Sequence, residues 1–131
     1  MNFEEKIKMR FFLLFISLLF LNSCYESERN CSDFKTGTFE FEALSGTEVF
    51  KTTITRNDSI EIDFFKGQSD TSSIRWINDC EYVLKKIHPK NQAEKKAILI
   101  KILTTTKNNY TFEFSEVGKT KTSKATARKI K

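Results

Sequence analysis

Few side chains in this 131-residue chain carry reactive chemistry. The nucleophiles of interest are three cysteines, Cys24, Cys31 and Cys80, and the only histidine is His88. A catalytic thiolate needs a base beside it. His88 precedes Pro89 in a polar stretch, where a lone histidine is ordinarily just solvated. A structural metal site needs three or four His and Cys ligands at close spacing, and the chain has no Cys-x-x-Cys pair and no second histidine. No serine lies in a Gly-x-Ser-x-Gly turn. Carboxylates are plentiful, but Glu40, Glu42, Glu61, Asp63, Glu81 and Glu113 alternate with apolar residues. That is the pattern of the outer face of a half-buried sheet. The residues thus predict no enzyme, no metal and no cofactor, and leave the cysteines to other covalent roles.

The first of those roles is suggested by the N-terminus. Phe11 to Leu21 is apolar except for Ser17. Such a run falls short of the ~20 residues a spanning helix needs, and it suits the core of a secretion signal. Lys6, Lys8 and Arg10 supply the basic flank. Glu4 and Glu5 are out of place there, and a start at Met9 would give the compact Met9-Arg10-Phe11-Phe12. The run ends in Leu21-Asn22-Ser23-Cys24, which resembles the lipobox of bacterial lipoproteins. Leu21, Ser23 and Cys24 match the pattern and Asn22 departs from it. The resemblance implies cleavage after residue 23 and lipidation of Cys24 by diacylglyceryl and acyl chains such as palmitate. Several buried acyl chains make a stable anchor. The expected address is the bacterial cell envelope, at the outer membrane on its periplasmic or surface side, with the membrane as partner through Cys24.

Processing would leave residues 24–131, with 19 basic and 15 acidic residues. The length suits one domain. We read 24–36 as a tether and 37–131 as a single β domain. The excess charge gathers in Lys119, Lys121, Lys124, Arg128, Lys129 and Lys131. No aromatic residue lies among them to stack on a base, so nucleic acid is not expected, and a solvated edge strand guarded by lysines is the simpler reading. With Cys24 lipidated, Cys31 and Cys80 remain as an even pair in an oxidising compartment. A Cys31–Cys80 disulfide is the economical expectation, with two free buried thiols as the alternative.

The elements that would position these groups read as strands. Thr38–Ala43, Ser59–Phe64 and Tyr110–Ser115 alternate strictly, as half-buried strands do. Glu48–Thr55, Thr71–Ile77, Glu81–Ile87, Ala97–Thr105 and Thr120–Ile130 complete the set. Gly37, Gly46, Gly67 and Gly118 fall between the runs or at their margins, and Asn57-Asp58 and Asn108-Asn109 mark junctions. Short links imply antiparallel neighbours. The longer link His88–Lys96 contains Asn91 and Glu94, spaced like a helix start. The expectation is an all-β protein: an antiparallel up-and-down meander of seven or eight strands forming a small barrel or half-barrel, with a two-sheet sandwich as competitor.

The segments Cys31–Phe39, Thr55–Glu61 and Ile74–Tyr82, above all Trp76-x-x-x-Cys80-x-Tyr82, resemble a group of small Bacteroidetes (flavobacterial) lipoproteins. The resemblance implies a lipocalin-like shape and no defined activity. Members sometimes carry a DNA topoisomerase IV label, but 108 residues leave no room for strand-cleavage and ATPase modules, and the sequence has no phosphate loop.

Two functions follow. A structural or protein-interaction role in the envelope requires no pocket and is the simpler reading. The alternative is a lipocalin-like binder, its closed sheet lined by Phe39, Phe41, Ile62, Phe64, Trp76, Tyr82, Phe112 and Phe114, holding a small apolar ligand. Trp76 is expected in the core with Ile74, or as a plug at a barrel end with Arg75 stacked on it. Arg56 and Asp58 would form an exposed turn-level ion pair.

Overall fold

A computed structural model describes residues 1–19, 29–45 and 47–131. The lipobox with Cys24, and Gly46, lie outside the described residues. Helix α1 (Phe3–Leu19) takes up most of the apolar N-terminal run. Among the described residues no helix is long and apolar enough to cross a membrane.

The alternating segments form β1 (Gly37–Ser45), β2 (Glu48–Arg56), β3 (Ile60–Phe65), β4 (Gln68–Asn78), β5 (Glu81–Lys86), β6 (Ile98–Thr105), β7 (Asn109–Glu116) and β8 (Ser123–Lys129). Each strand is antiparallel to the next, and β8 returns to β1 to close an up-and-down barrel. A sandwich is not formed. The Lys-rich β8 is therefore no edge strand: it pairs with β7 on one side and with β1 on the other through Phe39↔Lys129 and Glu40↔Arg128. Only Lys119 and Lys121 of the basic cluster precede it, in an exposed connection.

Turn chemistry sets the register. The β3–β4 hairpin turns on Lys66 and Gly67, with φ of 49° and 73°, the positive pair that a two-residue turn matched to strand twist requires. Gly37 stands at the closing seam with φ +135°, where a Cβ would lie 2.6 Å from the Lys131 carbonyl oxygen. The same carbonyl accepts the Thr38 N–H at 2.9 Å. The β5–β6 link does not begin a helix. Asn91 Oδ1 accepts the Glu94 N–H at 2.9 Å, as an N-cap would, but the chain makes only a turn over 92–95 before Ile98 enters β6.

One end of the barrel is plugged. Cys31–Phe34 forms a short 3-10 turn whose Cys31 and Phe34 are buried. The Cys31–Cys80 disulfide ties it to the β4–β5 turn, with Cα atoms 5.3 Å apart. Lys129 Nζ donates to the Asp33 carbonyl at 2.6 Å, and Lys35 pairs with Asp79 at 2.9 Å. Residues 31–36 are thus not free tether but the barrel's floor. Phe34 of this floor packs against Phe39 and Tyr110 above it, the three rings meeting at 5.2–6.3 Å between centroids.

Candidate functional site

Pairing fixes which face of each strand points inward. On β1 the inner positions include Phe39 and Phe41; on β5, Tyr82 and Leu84; on β6, Ile98, Ile100 and Ile102; on β7, Tyr110 and Phe112. These match the alternation of the sequence. β3 does not. Its Glu61 is buried and Asp63 lines the interior, whereas Phe64 is exposed. The expected inner residues Ile62 and Phe64 lie on the outer side of the strand, and the carboxylates expected outside lie within. Arg56 explains the reversal. It stands opposite Glu61 in the β2–β3 pairing, and both side chains point into the barrel, where a buried charge must be paired.

Arg56 is the centre of this inner polar cluster. Its Nε donates to Glu61 Oε2 at 2.6 Å, Nη1 to the Phe34 carbonyl at 2.7 Å and Nη2 to the Tyr110 hydroxyl at 2.9 Å. The guanidinium carbon also lies 4.8 Å from the centroids of both Phe39 and Tyr82, within cation–π range. Burial works against its charge, but Tyr82, Tyr110 and Glu61 outweigh burial and hold Arg56 protonated. The expected turn-level pair with Asp58 is not made; Asp58 is exposed and Arg56 turns inward instead.

Beside this cluster sits Asp63. Burial, then the nearby Glu61 charge and a hydrogen bond with Glu61, push its carboxyl up to about 7. Its Oδ1 is buried with no hydrogen-bond partner among the described residues. Burial raises the Tyr82 and Tyr110 hydroxyls as well, so both are neutral donors and acceptors at physiological pH.

From this polar floor a cavity of about 440 Å³ extends toward the unplugged end. Its walls are Phe41, Ile54, Leu84, Ile98, Ile100, Phe112 and Phe114, its floor Glu61, Asp63, Ser72, Tyr82 and Tyr110, and its far rim the β5–β6 link through Asn91, Ala93, Glu94 and Lys96. Lys86 holds that link in place: its Nζ lies 3.1 Å from both Asp70 and Glu94. The Lys90 N–H and Lys86 lower the Glu94 carboxyl, and Lys86 is raised because these two carboxylates outweigh its burial.

Of the eight residues read as ligand-lining, Phe41, Tyr82, Phe112 and Phe114 border the cavity. Phe39 is fully buried beneath it. Trp76 packs with Ile74 against the core and stacks on Tyr82 at 4.5 Å. Lys35, not Arg75, lies over the Trp76 ring, at 5.1 Å. His88 is exposed and lines a separate shallow groove with Asp70 and Lys90, shared with neither Glu81 nor Glu94. Among the described residues no three His, Cys, Asp or Glu side chains gather as metal ligands.

Alternation hid the polar floor. The signal that could have revealed it is Arg56 two residues after Ile54, and so on the same face of β2. No protein-family profile, no curated protein and no solved structure matches this chain.

Proposed function

We propose that this protein is a lipid-anchored envelope lipoprotein whose barrel binds a small apolar ligand. The observation that carries the binding half is the cavity of about 440 Å³ with seven apolar wall residues. Pockets that hold small ligands run from roughly 300 to 1,000 Å³, and an eight-stranded barrel either fills itself with side chains or holds one small molecule. This one keeps space although its aromatics are many. They concentrate in the plug and floor, where Phe34, Phe39 and Tyr110 pack on one another. The anchoring half rests on the lipobox-like Leu21-Asn22-Ser23-Cys24 and on the resemblance of residues 31–82 to flavobacterial lipoproteins.

A neutral fluorescent dye, N-phenyl-1-naphthylamine, tests the binding. Trp76 is the sole tryptophan, and it stacks on Tyr82 of the cavity floor. Energy transfer from Trp76 therefore reports dye close to the barrel, and a cavity-filling variant separates dye inside it from dye in surrounding lipid. We expect saturable one-to-one binding that is lost in Leu84→Phe with Ile100→Phe, which fill the cavity from its walls and leave Trp76 the sole donor. A wild-type chain that never saturates would sink the proposal.

A second reading, docking to another envelope protein, is supported by the reversed phase of β3. It leaves Phe64 46 % exposed on the outer side of the barrel.

A further inference from the structure

We propose that the ligand of the cavity carries an ammonium head and that Asp63 is its counter-ion. The inference rests on the apolar-ligand reading and adds the chemistry of the polar end.

An anionic head is poorly served by this interior. A barrel that took a fatty-acid carboxylate would need a free guanidinium or ammonium at its floor. Among the described residues Arg56 is the only cation there, and each of its three nitrogens already donates, to Glu61, the Phe34 carbonyl and Tyr110. Its side chain has no exposed surface. An incoming carboxylate would meet the Glu61 charge instead, and like charges in a low-dielectric site repel strongly.

The charges of the cavity are unequal. Lys86 is held by Asp70 and Glu94, and Lys96 lies 3.4 Å from Glu116. Arg56 is held by Glu61. Every cation on or behind the cavity wall is thus paired, and Asp63 is the one cavity-lining carboxylate with no cationic partner among the described residues. Among the described residues its Oδ1 also has no hydrogen-bond partner. The excess of negative charge runs against the chain as a whole, which carries a formal +5. A buried carboxylate without a partner is costly unless something neutralises it. In the empty barrel a proton does so; a ligand ammonium would take the proton's place, with its apolar chain along Phe41, Leu84, Ile100 and Phe112. Ser72 and Tyr82, both on the floor, offer oxygen acceptors for the remaining ammonium hydrogens.

Competition decides it. The full chain in nanodiscs is loaded with N-phenyl-1-naphthylamine, and the dye is displaced at pH 8 by decylamine, decanol or decanoate, which share one tail length and differ in head. We expect decylamine to displace the dye at a concentration at least about tenfold below decanol, the scale of one charge-assisted hydrogen bond, and decanoate to be the weakest. In Asp63→Asn, decylamine and decanol should coincide while dye affinity stays within about threefold. The wild-type ranking decides even if the variant does not fold. Decanoate equal to or better than decylamine, or an Asp63→Asn chain that keeps the amine preference, overturns the assignment of Asp63 and leaves the apolar-ligand reading standing. A wild-type chain that never binds the dye removes both.

Discussion

Arg56 and Glu61 face each other across the β2–β3 pair with 2.6 Å between Nε and Oε2, and both side chains are buried inside the barrel. Removing two charges from water is unfavourable, and their attraction offsets that cost only when the remaining donors and acceptors are satisfied. Here every guanidinium nitrogen has an acceptor, because the Phe34 carbonyl and the Tyr110 hydroxyl take the other two. One guanidinium thereby joins the plug turn, β2, β3 and β7. The ion pair is less a source of net stability than a lock on register: a one-residue slip of β3 would put Ile60 and Ile62 inside and leave Arg56 alone.

Truncating the lock should therefore be severe. Arg56→Leu leaves Glu61 buried and unpaired and should cost about 3–5 kcal/mol. Arg56→Lys should recover only part of that, since a single ammonium cannot reach three separated acceptors in the planar geometry of a guanidinium. The double variant Arg56→Leu, Glu61→Leu should be more stable than Arg56→Leu alone. Urea unfolding followed by circular dichroism measures all three, and additive losses in the double variant would refute the lock.

Asp63 predicts an unusual pH profile. Its carboxyl is raised by burial and by Glu61, from the ordinary 3.8 to about 7. The groups around it are Glu61 on its own strand, Arg56 on β2, which pulls the other way, and Asp70 on β4, with the Tyr82 hydroxyl facing from β5. Between the two values the folded protein holds a proton that the unfolded chain has released. Stability therefore falls as pH rises from about 4 to about 7 and levels off above it. The loss should be roughly 2–4 kcal/mol. Asp63→Asn should flatten the profile and exceed the wild type at pH 8. Chemical denaturation at pH 5 and pH 8 compares them; a wild type more stable at pH 8 would rule out the raised carboxyl.

The barrel was legible because each strand alternates and each link is short. Eight runs were visible, and their observed bounds differ from the expected ones by three residues or fewer, the largest differences being at the start of β4 and of β8. Closure itself was open, because nothing in the sequence of β8 distinguishes a guarded edge from a strand that pairs on both sides. Alternation also reports two faces without saying which is inner. For β1 and β7 the apolar face is the inner one, and Phe39 and Phe112 fell into place. For Ile60-Glu61-Ile62-Asp63-Phe64 the same rule pointed the wrong way, because a buried arginine on the neighbouring strand outweighs three apolar residues. The cavity depends on that exception: its walls follow the hydrophobic pattern and its floor breaks it. No pattern in one strand reveals a pairing partner in another, so Asp63 could not be found until Arg56 and Glu61 were seen together.

Lipidation is the prediction that places the protein. If Cys24 takes the lipid, cells fed a clickable palmitate analogue should label the wild-type chain and not Cys24→Ala. The variant should also run larger on a gel if cleavage after residue 23 depends on that cysteine. Equal labelling of the two would remove the anchor.

The disulfide should matter most at the plugged end. Cys31 and Cys80 are 49 residues apart in sequence, and closing a loop of that size in the unfolded chain is worth roughly 4 kcal/mol in the chain-entropy model. The bond also holds Phe34 against Tyr110 and keeps the Phe34 carbonyl within reach of Arg56. Cys31→Ser with Cys80→Ser should therefore do two things. It should lower global stability by about 2–4 kcal/mol, and it should loosen the floor beyond that. Hydrogen exchange separates the two effects. Under conditions where the double variant remains folded, amides of 31–36 should exchange faster by a larger factor than those of Ile98 and Ile100 in β6, which line the cavity wall and not the plug. A uniform acceleration across both regions would mean that the bond acts only on the unfolded chain and does not position the floor of the cavity.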